Sequence, residues 1–291
     1  MKLGVVLNEA AGGGRCGRSF QQIRPKLEAE HELVVEATRG PGDGTRAAAT
    51  LAEAGCDTVM SVGGDGTLFE VINGLVDRHT PPRVALMPLG TGNSFGKDFD
   101  LLDADAALAA LGRTARPFDV IRVTHDDGVV HYVNLLSVGF AADVGALTNR
   151  RFKPVGALGY ILAVLVEVTR LAARAFPHDP GKGTDAEPVT LLSFSNTQYT
   201  GGDMRMAPFA DPTDGAVDLV RIGAMGRRRL LSCFPKLFQG THVEMEEVSS
   251  RPITRCTFAF DQPVEVMLDG EIQVLRLQEL EVLPGALELW T

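Results

Sequence analysis

Apolar and polar positions follow a strand–helix rhythm over the first third of the chain. Residues 3–7 are a short apolar run closed by Asn8 and Glu9, which predicts a buried strand. A glycine-rich loop at 8–15 then leads into a polar helix. Residues 33–37 predict a second strand ending at Thr38, and the alanine-rich stretch 45–54 predicts a helix with Asp43 or Thr45 available as its cap. Residues 58–62 are β-branched and apolar, a third strand, and behind them Leu68, Val71, Ile72, Leu75 and Val76 recur at helical spacing. A fourth strand is predicted at 84–88 and a helix ending near Leu111. Parallel strands joined by helices gather their loops along one carboxyl edge, so positions near 8, 38, 65 and 91 are predicted to converge.

Beyond that point the pattern changes. Strand-like runs occur at 118–123, 129–136, 189–194, 217–222, 257–260 and 264–268, with only two apolar helices among them, 155–174 and 227–238. This predicts an α/β domain over 1–121 and a largely antiparallel, β-rich domain over 122–279, with a polar loop at 178–187. A chain of 291 residues suffices for two cores. The net charge of −9 argues against broad nucleic-acid binding, which needs a basic surface. Cys16, Cys56, Cys233 and Cys256 form no Cys-x-x-Cys, so neither a zinc site nor a disulfide framework is indicated and a reducing cytosol is expected. The six histidines include no pair at metal-ligand spacing on a helix. The opening apolar run is followed by no cleavage pattern, and the longest apolar stretch, 155–166, is shorter than the roughly 20 residues of a bilayer span. A cytoplasmic chain is expected.

The stretch 61–67 reads Ser-Val-Gly-Gly-Asp-Gly-Thr between a strand and a helix. Gly63, Gly64 and Gly66 remove the Cβ atoms that would hold a ligand off the backbone and leave N–H groups facing whatever enters, which suits phosphate. Asp65, in the middle of this nest, would repel a polyphosphate unless a divalent cation lay between them. A metal–nucleotide complex resolves that conflict. The other reading is a plain glycine-rich turn whose Asp65 bonds its own backbone. Thr67 and Glu70 also spell a capping box, which gives Glu70 a structural role and leaves Thr67 open to either. Residues 89–94 form a second phosphate-sized loop.

Gly63-Gly-Asp-Gly-Thr67 and Pro88-Leu-Gly-Thr-Gly-Asn-Ser-Phe95 are followed by 134–139, Ser195-Asn196, Gly201-Gly202, Ala207-Pro208, Asp214-Gly215 and Leu268-Asp-Gly-Glu271. In this order the motifs resemble the diacylglycerol kinase catalytic family, bacterial lipid kinases related to diacylglycerol, sphingosine and ceramide kinases, over nearly the whole chain. The first motif is shared with NAD kinases and phosphofructokinases, the second much less so. The resemblance implies a phosphofructokinase/NAD-kinase-like nucleotide domain, a lipid-substrate domain, an active site in the cleft between them, and a tail, 280–291, that returns to the first domain. It implies ATP bound by Asn8, Thr38, Gly63, Gly64, Asp65, Gly66, Thr67, Leu68, Phe69, Thr91, Gly92 and Asn93, with Glu271 as proton acceptor. It further implies Mg2+ near Asp211, Asp214 and the carbonyl of Ala216. The chain departs from the family pattern at Phe69, Ser94 and Glu9, where Asn, Asp and Pro are usual.

Several of these residues admit a second meaning. Asp211 and Asp214 can offer oxygens to one hard cation or close a plain turn. Asp269-Gly270 can be a hairpin turn that leaves Glu271 a solvated charge. Residues 155–166, with Tyr160, can line an acyl-chain pocket or be a buried helix, and Arg227–Arg229 with Phe234, Leu237 and Phe238 can meet an anionic bilayer or simply start a solvated helix. The expected function is an ATP- and Mg-dependent kinase of a diacylglycerol-like or sphingoid-like lipid, peripheral at the inner membrane surface, with oligomerisation left open. The alternatives are an NAD-kinase-like kinase of a soluble alcohol, although no Asn-Glu pair follows the central loop, and a non-catalytic nucleotide- or lipid-binding regulator, which Phe69 and Ser94 keep open.

Overall fold

The computed structural model describes residues 1–152 and 157–291, without the side chains of 157–161, so the acyl-pocket expectation for Val155 and Tyr160 lies outside the described residues. Along the chain run β1 (Lys2–Leu7), α1 (Ala11–Glu30), β2 (Glu32–Ala37), α2 (Asp43–Glu53), β3 (Thr58–Gly63), α3 (Asp65–Leu75), β4 (Arg83–Pro88), α4 (Ser94–Lys97), α5 (Ala104–Ala110) and β5 (Ala115–His125). They continue with β6 (Gly128–Tyr132), β7 (Leu135–Gly139), α6 (Phe140–Leu147), α7 (Ala157–Thr169), β8 (His178–Asp179), β9 (Val189–Ser195), β10 (Tyr199–Thr200), β11 (Met204–Arg205) and β12 (Val217–Gly223). The last are α8 (Arg227–Gln239), β13 (Val248–Ile253), β14 (Arg255–Phe258), β15 (Val264–Leu268), β16 (Glu271–Leu275) and β17 (Leu277–Trp290). They fall into two units, Met1–Val120 with Leu283–Thr291, and Ile121–Val282.

The first unit carries parallel strands in the order β2-β1-β3-β4, with the end of β17 beside β4 through Leu289 and Val84. Its central strands are apolar on both faces because helices cover both. Cys16, Phe20 and Leu27 of α1 pack with Met60, Val62 and Met87 of the sheet. A Cβ at Gly74 of α3 would strike the carbonyl of Thr45, so α2 and α3 meet backbone against backbone. Trp290 closes the unit, its Nε1 donating to Thr58 Oγ1 at 3.0 Å, while Arg83 pairs with Glu288 at 2.9 Å.

Two expected caps are corrected here. Glu70 does not close a capping box with Thr67; its carboxylate oxygens accept the N–H groups of Gly42 and Gly44, each at 2.7 Å. Glu70 therefore caps α2 from α3, because α2 begins at left-handed Gly42, which has no side chain to do so. Asp43 instead accepts the Arg39 N–H at 2.8 Å, and Thr45 Oγ1 donates to the Glu70 carbonyl at 3.0 Å. Glu70→Ala removes two charge-assisted hydrogen bonds and is expected to cost about 2 kcal/mol of stability, read from urea unfolding.

In the second unit a sheet of order β13-β12-β9-β7-β15-β16 is antiparallel throughout, accompanied by the pairs β5-β6, β14-β17 and β14-β8. The run 129–136, expected as one strand, breaks at Val133 and Asn134: β6 pairs with β5, while β7 pairs with β9 and β15. The helix expected to end at 174 ends at Thr169, earlier than the pattern suggested. Among the described residues no helix is long and apolar enough to cross a membrane. All four cysteines are free and buried, and burial pushes the thiols of Cys16 and Cys256 up to about 11 and about 12.

Candidate active site

At the carboxyl edge of the first unit, the parallel register brings distant loops together. Asn8 donates its N–H to Val62 O at 3.0 Å and its Nδ2 to Thr67 Oγ1 at 3.2 Å, while the Thr38 N–H reaches Leu7 O at 2.9 Å. The Gly90 N–H bonds Gly63 O at 2.7 Å, and the Asp65 N–H bonds Gly92 O at 3.0 Å. Space is exhausted at this crossing. A Cβ on Gly64 would lie 2.7 Å from Gly92 O, and one on Gly90 would lie 2.5 Å from the Gly64 Cα. Only glycine lets the two loops touch in this way. Beside them Gly12, Gly13 and Gly14 run in the left-handed region, and a Cβ on Gly12 would stand 3.2 Å from Leu89 O.

Asp65 follows neither sequence reading in full. Its carboxylate accepts the N–H of Ser94 at 3.0 Å and of Phe95 at 3.3 Å, so it bonds the backbone of the second loop rather than its own. The Thr67 and Leu68 N–H groups turn back to Gly64 O at 3.0 and 3.1 Å, and that of Gly66 has no protein acceptor among the described residues. Asn93 Nδ2 donates to Gly90 O at 3.1 Å and Pro88 O at 3.3 Å, whereas its buried Oδ1 has no partner among the described residues. An unused amide beside an orphaned hard acceptor and a carboxylate is a donor set that fits a phosphate with its cation. Thr91 is exposed at the rim. The side chains of Leu68 and Phe69 are buried, because the helical stripe that packs α3 on the sheet claims them. The usual family Asn at position 69 would meet the same burial.

In the second unit, Leu268 pairs with Glu271 across a two-residue turn, Asp269 and Gly270, with φ of 48° and 92°. Both positive values mark a type I′ hairpin. The turn is anchored. Asp269, only 5% exposed, accepts the N–H of Val133 at 2.9 Å, Asn134 at 2.8 Å and Leu135 at 2.9 Å. These three amides interrupt the run 129–136 and separate β6 from β7. Asn196 braces the same segment through its N–H to Asn134 O at 2.7 Å and Nδ2 to Val133 O at 2.8 Å, and Thr197 Oγ1 joins Asn134 Oδ1 at 3.0 Å. Glu271, the next residue of the hairpin, is exposed and enters no side-chain hydrogen bond or ion pair among the described residues.

An apolar cavity of about 260 Å³ lies in this unit, lined by Phe140, Met206, Cys233, Phe234 and Met267 and reaching Gly270. The sequence reading missed it. Phe234 and Leu237, read there as part of a bilayer-facing surface, turn into this cavity instead. The helical spacing of Leu230, Cys233, Phe234 and Leu237 was the available signal; the facing wall, from Met204 and Met206, carries none.

The proposed metal turn is closed by its own bonds. Asp211 Oδ1 accepts the Thr213 N–H at 3.0 Å and its Oγ1 at 2.7 Å, and Asp214 Oδ1 accepts the Ala216 N–H at 2.9 Å. Burial, then the charge of Asp214, raises the pKa of nearby Asp218. Among the described residues no group of three His, Cys, Asp or Glu is assembled to hold a metal, and no step below passes through Asp211, Asp214 or Ala216.

Residues 2–123 match the family described as the diacylglycerol kinase catalytic domain, and residues 134–291 match the YegS C-terminal NAD kinase beta sandwich-like domain. The chain is 30% identical to a diacylglycerol kinase of Mycobacterium tuberculosis over 297 residues, covering 99% of this chain and 94% of that protein. It is 32% identical over 291 residues to a Pseudomonas aeruginosa protein described as "Probable lipid kinase YegS-like", covering 99% and 93%. A solved diacylglycerol kinase structure from Bacillus anthracis superposes with a TM-score of 0.73 at 19% identity, covering 99% and 96%. A second structure from that organism reaches 0.83 at 21%, covering 99% and 94%; at these identities the likeness is one of fold.

Proposed function

We propose, because this chain belongs to the diacylglycerol kinase catalytic family of bacterial lipid kinases, that it transfers the γ-phosphoryl group of ATP to the hydroxyl of a diacylglycerol-like or sphingoid-like lipid. One observation carries the choice of a lipid over a soluble alcohol. The apolar cavity has Gly270 on its wall, and the free carboxylate of Glu271 is the next residue, so an acyl chain seated there would leave its polar end at the hairpin.

The chemistry follows from these groups. The lipid hydroxyl oxygen forms a bond to the γ-phosphorus as the bond from that phosphorus to the bridging oxygen breaks; ADP departs with the electron pair, and Glu271 accepts the hydroxyl proton. The Gly63–Thr67 loop, with the open N–H of Gly66, would hold the phosphates, flanked by Asn8, Thr38 and Thr91. Magnesium bound with the nucleotide would neutralise phosphate charge, with Asp65 and Asn93 Oδ1 as its oxygen donors on the protein. The reading puts the protein in the cytoplasm, where ATP is supplied.

Labelled ATP, magnesium and a bacterial lipid extract test the proposal: a labelled lipid is expected, and ATP binding without any labelled lipid would mark a regulator instead. The cavity has its own test. Cys233→Phe fills it from α8 and is expected to lower kcat/KM for a long-chain lipid by about tenfold or more while sparing a short-chain one. Equal effects on both would remove the cavity from the reading.

A further inference from the structure

Helix α8 has two apolar faces. Leu230, Cys233, Phe234 and Leu237 turn inward to the cavity, but Leu231, Pro235 and Phe238, spaced i, i+4 and i+7, form a second stripe roughly a third of a turn around the helix. Leu231 is 44% and Phe238 53% exposed. Phe209, 75% exposed, stands near the carboxyl end of the same helix, because its neighbour Pro208 packs against Gly240 there. A helix that only roofed a cavity would carry polar residues beside its inward stripe, as α8 does on its other flank at Arg229 and Lys236.

The charges around the stripe are equally particular. Arg228 lies one turn before Leu231 on the same side and enters no ion pair among the described residues. Arg227 bonds a neutral group, the Thr169 carbonyl at 2.6 Å, and keeps its charge, whereas Arg229 is neutralised by Glu247 at 2.7 Å. The chain as a whole carries −9, so uncompensated cations bordering an exposed apolar stripe stand apart from its general surface.

We propose that this exposed face of α8, with Phe209, docks on an anionic phospholipid bilayer: Phe238, Leu231 and Phe209 enter the acyl boundary while Arg227 and Arg228 meet the lipid phosphates. The occupant follows from charge complementarity and from continuity, since the adjacent face of the same helix lines the cavity assigned to the acyl chain. Docking here places that cavity beside the membrane that holds its substrate. The proposal rests on the lipid-kinase reading for its purpose, but its test does not.

The test is co-sedimentation, without nucleotide, with vesicles of equal parts phosphatidylglycerol and phosphatidylcholine, compared with phosphatidylcholine alone. Wild-type protein is expected to bind the anionic vesicles preferentially. Leu231→Ser with Phe238→Ser is expected to lower that partitioning about tenfold or more. Arg228→Gln is expected to lower it roughly fivefold, a loss that disappears at high salt. Turnover on detergent-dispersed lipid should stay unchanged in every variant, which separates a failure of docking from a failure of the kinase reading. Wild-type protein that ignores anionic vesicles overturns the proposal, as do variants that bind like wild type. A double variant that lowers the oligomeric state by light scattering without changing vesicle binding assigns the stripe to a second copy and overturns it too.

Discussion

Glu271→Gln is expected to lower kcat by about 10²–10⁴-fold with ATP affinity nearly unchanged. The amide keeps the size and exposure of the side chain at the hairpin, so only the proton acceptor is lost. A hydroxyl is a weak nucleophile at neutral pH, and without a base within reach its proton must leave through water. Rapid-quench turnover with a saturating dispersed lipid, beside calorimetric ATP binding, separates chemistry from affinity. Turnover within tenfold of wild type would dismiss Glu271 as the base, and loss of ATP binding would show that the substitution acts on the nucleotide.

Asp269→Ala is expected to cost about 3–5 kcal/mol in the second unit, because three buried N–H groups lose their common acceptor at once. Each orphaned buried donor costs about 1–3 kcal/mol, and partial relaxation keeps the total below the full sum. Set against a typical stability of about 5–15 kcal/mol, this is a large fraction. The measurement is native-state hydrogen exchange at Val133, Asn134 and Leu135, whose protection should fall by several orders of magnitude. Asp269→Asn retains one acceptor oxygen and tolerates the positive φ of the turn, so it should fall between the two. If Asn folds like wild type yet turns over more slowly at unchanged ATP affinity, Asp269 acts by positioning Glu271. Unchanged protection in the alanine variant would contradict the anchoring role.

Three carboxylates show why one part of the site was hidden from the sequence. Glu70 bonds the N–H groups of Gly42 and Gly44, 28 and 26 positions away; Asp65 reaches Ser94 and Phe95, 29 and 30 away; Asp269 reaches Val133 to Leu135, 134 to 136 away. Their partners are main-chain amides, which every residue but proline possesses and no residue type advertises. Local rules therefore assigned Glu70 to its own helix and Asp65 to its own loop or to a cation. Phe69 is a related case: its burial depends on which helical face meets the sheet, which the motif does not specify.

What could be determined from the sequence alone is what lies within a few residues of itself. The apolar runs and their spacing specified the parallel strands, the helices between them and the strand-rich second half, because side-chain period is a local property of the backbone. The glycines at 63, 64, 66 and 90 marked where backbone had to come close to something. Tertiary structure alone decided that this something includes another loop, that Asp269 divides one apparent strand into two, and that α8 turns Phe234 toward a cavity and Phe238 toward solvent. Those outcomes depend on packing between segments far apart in the chain, where a one-residue change of helical phase turns a different face inward, by roughly 100°, without altering the composition.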